Sequence, residues 1–197
     1  MFDGKSATGL EFDLHGKLAK ASTEGEVILA AGAVNSPKIL ELSGIGRSDV
    51  LSKFDIPVHH ELNGVGENLQ DHLQIRTVFK VKNVKTLNEK ANSLIGKVSM
   101  GLQYALSRSG PLSMAPSQFG MFMKSDPRIA TPDLEYHVQP LSTDKLGDPL
   151  HPFPAVTMSV CNLRPESRGT VHIKSPDVNE HPAIAPNYLS TQADRDV

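Results

Sequence analysis

Asp71 and His72 are adjacent, and together they carry the two groups an acid–base step needs. In an extended segment neighbouring side chains point to opposite sides, so the two cannot form a direct relay with each other. One of them faces a ligand and the other supports its loop. Proton transfer by His72 is the sharper reading, and support of the loop is the plainer one. His59-His60-Glu61 has the composition of a metal cluster. On a strand His59 and Glu61 share a face, but no third ligand stands at a recognisable spacing, so the segment reads as a solvated connecting strand and no metal site is expected. Arg164 and Arg168 bracket Pro165-Glu166-Ser167. A pair of guanidinium groups suits a carboxylate or phosphate, and the competing reading is a turn held by Arg–carboxylate bonds, with Glu166 and Asp177 near in sequence. His137, His172 and His181 read as structural or surface groups. His151, in a Pro/Gly loop, is a weak candidate for a substrate contact.

The element most able to position such chemistry is the stretch 26–46. Val27-Ile28-Leu29-Ala30-Ala31 has strand composition and ends at Gly32. Ser36-Pro37 predicts a helix start, a capping hydroxyl followed by a proline whose missing N–H is harmless there. The helix runs through Ile39, Leu40 and Leu42 and stops at Ser43-Gly44. A strand leading through a Gly-bearing turn into a helix collects backbone N–H groups and the positive end of a helix dipole at one spot. Side chains as small as Ala31, Gly32 and Ala33 let a flat or anionic ligand approach the backbone. That describes the edge of a nucleotide site, although an ordinary β–α connection in an α/β core is the commoner case.

The remaining elements follow from periodicity and turn chemistry. Residues 9–13 and 17–22 flank His15-Gly16 and predict a hairpin. Residues 47–54 predict a short helix capped by Ser48, with Val50, Leu51 and Phe54 on one face. Asn63-Gly64-Val65-Gly66-Glu67-Asn68 predicts a tight loop. Residues 72–82 alternate as a strand, with Leu73, Ile75, Thr77, Phe79 and Val81 sharing a face. A helix is expected from about Ser93 to Leu106, closed by Ser109-Gly110-Pro111. Beyond it, 118–124, 133–140, 154–163 and 169–174 predict strands of an antiparallel sheet. Residues 142–154 predict a long, mobile substrate-side loop. The composition shifts near residue 80. Gly44-Ile45-Gly46 and Gly64-Val65-Gly66 are not dinucleotide fingerprints, because neither has a third glycine in place on a strand-to-helix turn.

Composition excludes several function classes. The chain has 197 residues, a net charge of -2, 39% hydrophobic and 21% charged residues, ordinary values for a soluble globular protein. The charge and the lack of a basic stripe argue against nucleic-acid binding. A single cysteine, Cys161, forms no internal disulfide and reads as a buried filler of a strand rather than a nucleophile. No apolar run approaches the ~20 residues that span a bilayer, and Met1-Phe2-Asp3-Gly4-Lys5 has no signal core. A cytoplasmic location is expected, with peripheral membrane association left open, and the oligomeric state is undetermined.

Three motifs resemble the glucose–methanol–choline (GMC) flavoprotein oxidoreductases. Gly32-Ala33-Val34-Asn35-Ser36-Pro37 with Leu42-Ser43-Gly44-Ile45-Gly46 is similar to the family's second hallmark. Gly64 to His72 resembles its loop beside the flavin. Arg164 to Val171, with Pro186-Asn187-Tyr188-Leu189, resembles a later segment of its substrate domain. The long loop and the segment up to Arg168 resemble choline-dehydrogenase-like members more than sugar oxidases. The resemblance implies an α+β (mixed α/β) fold: part of an FAD-binding domain over 1–80, and part of an antiparallel-sheet substrate domain with flanking helices over 81–197. It implies FAD as cofactor and a small-molecule alcohol as substrate, oxidised at its CH–OH carbon by hydride transfer to the flavin. Ala31, Gly32 and Ala33 are implied toward the adenosine half of FAD, and Asn68, Asp71 and His72 toward the flavin. The family's Gly fingerprint and catalytic histidine match nothing in these residues. The resemblance therefore implies a central fragment with no catalytic residue of its own. The alternative is a non-catalytic remnant or binding module without flavin.

Overall fold

The His15-Gly16 turn closes its hairpin as its composition predicts. The computed structural model describes residues 1–115, 117–145 and 147–197. It opens with β1 (Phe2–Asp3) and β2 (Ser6–Ala7), then pairs β3 (Gly9–Leu14) antiparallel with β4 (Lys17–Ser22). His15 and Gly16 have φ of 54° and 80°, the left-handed pair that a two-residue hairpin turn needs. Residues 26–31 do not form the predicted strand. A strand is defined by ladder hydrogen bonds, and no other described segment supplies them here. The segment's apolar side chains are exposed accordingly, Ile28 by 86%.

The first long helix, α1 (Gly32–Leu42), starts at Gly32 rather than Ser36. Ser36 still satisfies a backbone donor at the helix start: its Oγ accepts the N–H of Ala31 at 3.1 Å, acting from inside the helix. The helix ends where Gly44 takes a φ of 78°. Two short strands, β5 (Ile45–Gly46) and β6 (His60–Glu61), pair in parallel around α2 (Ser48–Leu51) and a 3-10 turn, Ser52–Phe54. Arg47, not Ser48, holds the cap position of α2. Ser48 donates its hydroxyl to Glu61 Oε1 at 2.9 Å instead. Val50, Leu51 and Val65 form the buried apolar centre of this region.

A second region begins with β7 (Gln74–Lys80). Next comes a helix that the periodicity reading lacks, α3 (Leu87–Asn92), opened by the Glu89 side chain, which reaches back to accept the Thr86 N–H at 2.9 Å. The predicted helix follows as α4 (Leu94–Ser107), capped by Ser93. Three strands, β8 (Phe119–Met123), β9 (Leu134–Gln139) and β10 (Ala155–Asn162), complete a four-stranded antiparallel sheet in the order β7-β10-β9-β8. Along β10 every second residue is buried: Ala155, Thr157, Ser159 and Cys161.

The loop expected to be mobile is cross-linked. Buried Asn88 donates to Ser142 Oγ at 2.8 Å and to the Phe153 carbonyl at 2.9 Å, and accepts the Ser142 N–H at 2.8 Å. The Thr143 hydroxyl is within 3.0–3.2 Å of the carbonyls of Lys145, Asp148 and Pro149. His151 bonds Ser142 and Asp144 and stacks on Phe153. Leu146, within the same loop, lies outside the described residues.

The last predicted strand, β11 (Thr170–His172), leaves the large sheet and pairs with β12 (Ala183–Ala185). The chain closes with α5 (Gln192–Asp196). Two units result: residues 1–71 with 167–191, and residues 72–166 with 192–197. The architecture is α+β, as expected. Among the described residues no helix is long and apolar enough to cross a membrane.

Candidate functional site

The loop from Gly64 to Gln70 is held against β11 by its backbone. Val171 donates to the Gly66 carbonyl at 2.7 Å, and Leu69 and Gly169 exchange hydrogen bonds at 2.8 and 2.9 Å. Gly66 has a φ of 77°, and a Cβ there would sit 2.5 Å from the Val171 carbonyl oxygen. Only glycine fits both the conformation and the approach. Asn68 also takes the left-handed region, with φ 62°, where Asn is tolerated better than most residues.

A charged network ties α1 to the same strand. Glu41 is fully buried. One of its oxygens lies 2.6 Å from Nδ1 of His172, and the other accepts the Ile173 N–H at 2.8 Å. Nε2 of His172 is 3.2 Å from Glu67 Oε1, which also accepts from Arg47 at 2.8 Å. Arg47 makes a two-pronged bond to Asp49 at 2.9 Å. These carboxylates, Asp49 first and then Glu67, push the Arg47 guanidinium still further above its ordinary range. The hydrogen bond from Arg47 in turn holds Asp49 below the usual carboxylate range. His172 is thus structural, as its placement on a strand suggests.

Between the first turns of α1 and this loop lies a cavity of about 510 Å³. Ala33, Ser36 and Leu40 line it from the helix, Gly64 and Asn68 from the loop, and Val171 from β11. Its volume falls within the ~300–1,000 Å³ of small-molecule sites. Ala31, Gly32 and Ala33 are exposed at the helix entrance. Gly32 has a φ of 79°, and a Cβ added there meets nothing within 4 Å. The space before the helix is therefore open, and a flat or anionic group can reach the N–H groups of an eleven-residue helix.

Of the residues singled out from sequence, Ala33 and Asn68 meet at this cavity, whereas Ala31, Gly32, Asp71 and His72 are not among its described lining residues. Asp71 accepts a short hydrogen bond from the Tyr188 hydroxyl. That bond, and then burial, pushes the Tyr188 phenol up. His72 turns its Nε2 to the Leu163 carbonyl at 3.0 Å. The side chains of Asp71 and His72 therefore have separate partners, as adjacent residues should. Ser36, Leu40 and Val171 complete the cavity, and only the chain fold brings Val171 there. Arg164 binds Thr131 Oγ1 at 2.7 Å and the carbonyls of Thr131 and Pro132 at 3.2 and 3.1 Å. It pins a turn, through neutral oxygens rather than the expected carboxylates. His59 packs on Phe2, and Glu61 is engaged by Ser48, as befits a connecting strand.

Residues 1–74 match the family described as GMC oxidoreductase. Over 194 residues the chain is 38% identical to the mitochondrial choline dehydrogenase of Mus musculus. In both comparisons the chain is similar to the GMC oxidoreductase family. The match to the mouse protein takes in 98% of this chain and 32% of that one. An oxygen-dependent choline dehydrogenase of Escherichia coli is 37% identical over 197 residues, with 98% of this chain and 35% of the relative covered. The chain thus spans about a third of the length of these GMC relatives. In three dimensions it resembles a formate oxidase of Aspergillus oryzae RIB40, a protein in which FAD modification occurs. The TM-score is 0.86 at 22% identity, over 98% of this chain and 38% of that one. At that identity the likeness concerns the fold alone.

Proposed function

We propose that this chain supplies cofactor-contact surface to an FAD-dependent GMC oxidoreductase acting on the CH–OH group of a small alcohol. The observation that carries the reading is the cavity between the α1 entrance and the Gly64–Gln70 loop, in a chain 37–38% identical to choline dehydrogenases over nearly its whole length. The residues present fit part of a dinucleotide. The Ala31-Gly32-Ala33 entrance offers open, small-residue backbone, and the helix end behind it favours negative charge. Ala31, Gly32 and Ala33 would face the adenosine half, and Asn68 and Asp71 the flavin. Bound FAD would supply the hydride acceptor that amino-acid side chains lack. The chain's own contribution is to hold and orient. The Glu41–His172–Glu67 network keeps the loop in register with α1, and Tyr188 fixes the Asp71 carboxylate. No residue of the chain is assigned as the catalytic base.

Titration of FAD with the purified chain, followed by quenching of flavin fluorescence, tests the reading. Weak, saturable quenching is expected, without turnover of choline or other alcohols. Ala33→Trp fills the cavity from an exposed helix position and should weaken binding by about tenfold or more, roughly 1.4 kcal/mol. Absence of quenching, or quenching indifferent to Ala33→Trp, favours a binding module without flavin.

A further inference from the structure

Three ligand-type side chains distant in sequence meet at one end of the β7-β10-β9 sheet. The register sets Gln74, Cys161 and Glu135 side by side across these strands, and residues paired in this way stand on one face. His72 precedes Gln74 by two positions, which brings it back to that face where the chain is extended. A ring nitrogen of His72, a carboxylate oxygen of Glu135 and Sγ of Cys161 all lie within 4.8 Å of one another. Cys161 is 2% exposed, Glu135 is half-buried and His72 is exposed, so the group is closed at the thiol and open at the imidazole.

We propose that His72, Glu135 and Cys161 form a binding site for a divalent transition metal of borderline softness, zinc before others. The site lies wholly within the second unit and does not depend on the cofactor reading. Its donors are one thiolate, one imidazole and one carboxylate. Each is a common zinc ligand, whereas calcium and magnesium take oxygen-only sets. With zinc bonds of about 2.0–2.3 Å, tetrahedral ligand atoms stand ~3.5 Å apart, so the group must close by about 1 Å. The exposed His72 side chain can supply most of that movement.

The surroundings already do what outer partners of a metal site do. The Leu163 carbonyl 3.0 Å from Nε2 of His72 orients the ring, and a proton there leaves the lone pair on Nδ1. His137 Nε2 stands 3.5 Å from Glu135 Oε1 and steadies the carboxylate. The Cys161 thiol donates to the Glu135 carbonyl at 3.9 Å, which keeps the sulfur beside strand β9. Three protein ligands leave a fourth position for water or an added molecule. Positions 72, 135 and 161 show no ligand spacing in sequence, because only the strand register unites them.

The test is loading of the 197-residue chain with Co(II) or Zn(II) alone. One Co(II) per chain is expected, with a sulfur-to-cobalt charge-transfer band that one equivalent of Zn(II) abolishes. Cys161 is the only cysteine, so the band reports it without ambiguity. Cys161→Ser should remove the band and lower zinc affinity by more than about 100-fold, beyond the 10–100-fold typical of outer partners. His72→Asn and Glu135→Gln should each weaken binding by about tenfold or more, and His60→Asn should not. Circular dichroism checks that each variant folds. Cobalt uptake without the band, no stoichiometric uptake, or zinc affinity unchanged in Cys161→Ser overturns the proposal. Should Cys161→Ser fail to fold, presence or absence of the band in the unaltered chain still decides.

Discussion

The Glu41 carboxylate lies 2.6 Å from Nδ1 of His172, a residue 131 positions further along the chain. Glu41 is on the buried side of α1, and His172 ends β11. The contact therefore joins two walls of the candidate cavity, the helix and the strand that braces the Gly64–Gln70 loop. Its second oxygen satisfies the Ile173 N–H, so the buried carboxylate has a donor for each oxygen. That arrangement is what permits a carboxylate with no exposed surface.

Truncating Glu41 should be severe. Glu41→Ala leaves His172 and the Ile173 N–H without their partner in a buried place, which costs about 3–5 kcal/mol in comparable pairs. Glu41→Gln retains one acceptor and should cost less. Urea unfolding of the two variants checks the order. Glu41→Ala combined with His172→Ala should destabilise by less than the sum of the single changes, since both remove one interaction.

Two glycines with nearly equal φ should respond differently to alanine. Gly66 and Gly32 have φ of 77° and 79°. Both variants bear the ~1–2 kcal/mol of a left-handed L-residue. Gly66→Ala also drives Cβ to 2.5 Å from a backbone oxygen, whereas at Gly32 the space is open. Gly66→Ala is therefore expected to lose at least about 1 kcal/mol more, read from the difference in denaturation midpoints, and to release the loop to proteolysis.

How much of this was legible in the sequence depends on the range of each interaction. The hairpin at His15-Gly16, the stop at Gly44 and the helix after Ser93 are written in local turn and cap chemistry. The cap of α3 is equally local, a Thr86-x-x-Glu89 pattern, but its short helix carries too little periodicity to stand out. The segment 26–31 has strand composition, yet pairing is a property of partners, and no described segment forms a ladder with it. Ala33 was recognisable from small-residue chemistry beside a helix start, and Asn68 only through the resemblance of its loop to the family's. Val171, the Glu41–His172 tie and the Cys161–Glu135 juxtaposition depend on register and on the return of residues 167–191. No local pattern encodes those.

The Tyr188–Asp71 bond makes a prediction at alkaline pH. The hydrogen bond to Asp71, with burial second, raises the Tyr188 phenol above the usual tyrosine range. The folded chain then holds this proton more tightly than the unfolded one. The associated stability is complete below the unfolded value of about 10 and is lost as pH rises through the higher folded value. Absorbance titration of tyrosinate should show one late-ionising component, and Tyr188→Phe should remove it. Asp71→Asn should move it down. A late component that survives Tyr188→Phe belongs to Tyr104 or Tyr136 and refutes the assignment.

Arg76 should be replaceable at a gain. It stands in β7 beside Ser159 of β10, and its Nη2 is buried with no hydrogen-bond partner among the described residues. An unsatisfied buried donor costs about 1–3 kcal/mol. Arg76→Met keeps an unbranched apolar stem and removes the orphaned N–H groups. The variant should unfold at higher urea concentration, by about 1 kcal/mol in free energy, with an unchanged dependence on denaturant. A loss of stability would mean that the guanidinium is paired in solution. The polar face of the sheet, with Glu135 and His137 on neighbouring strands, would then be where to look for the partner.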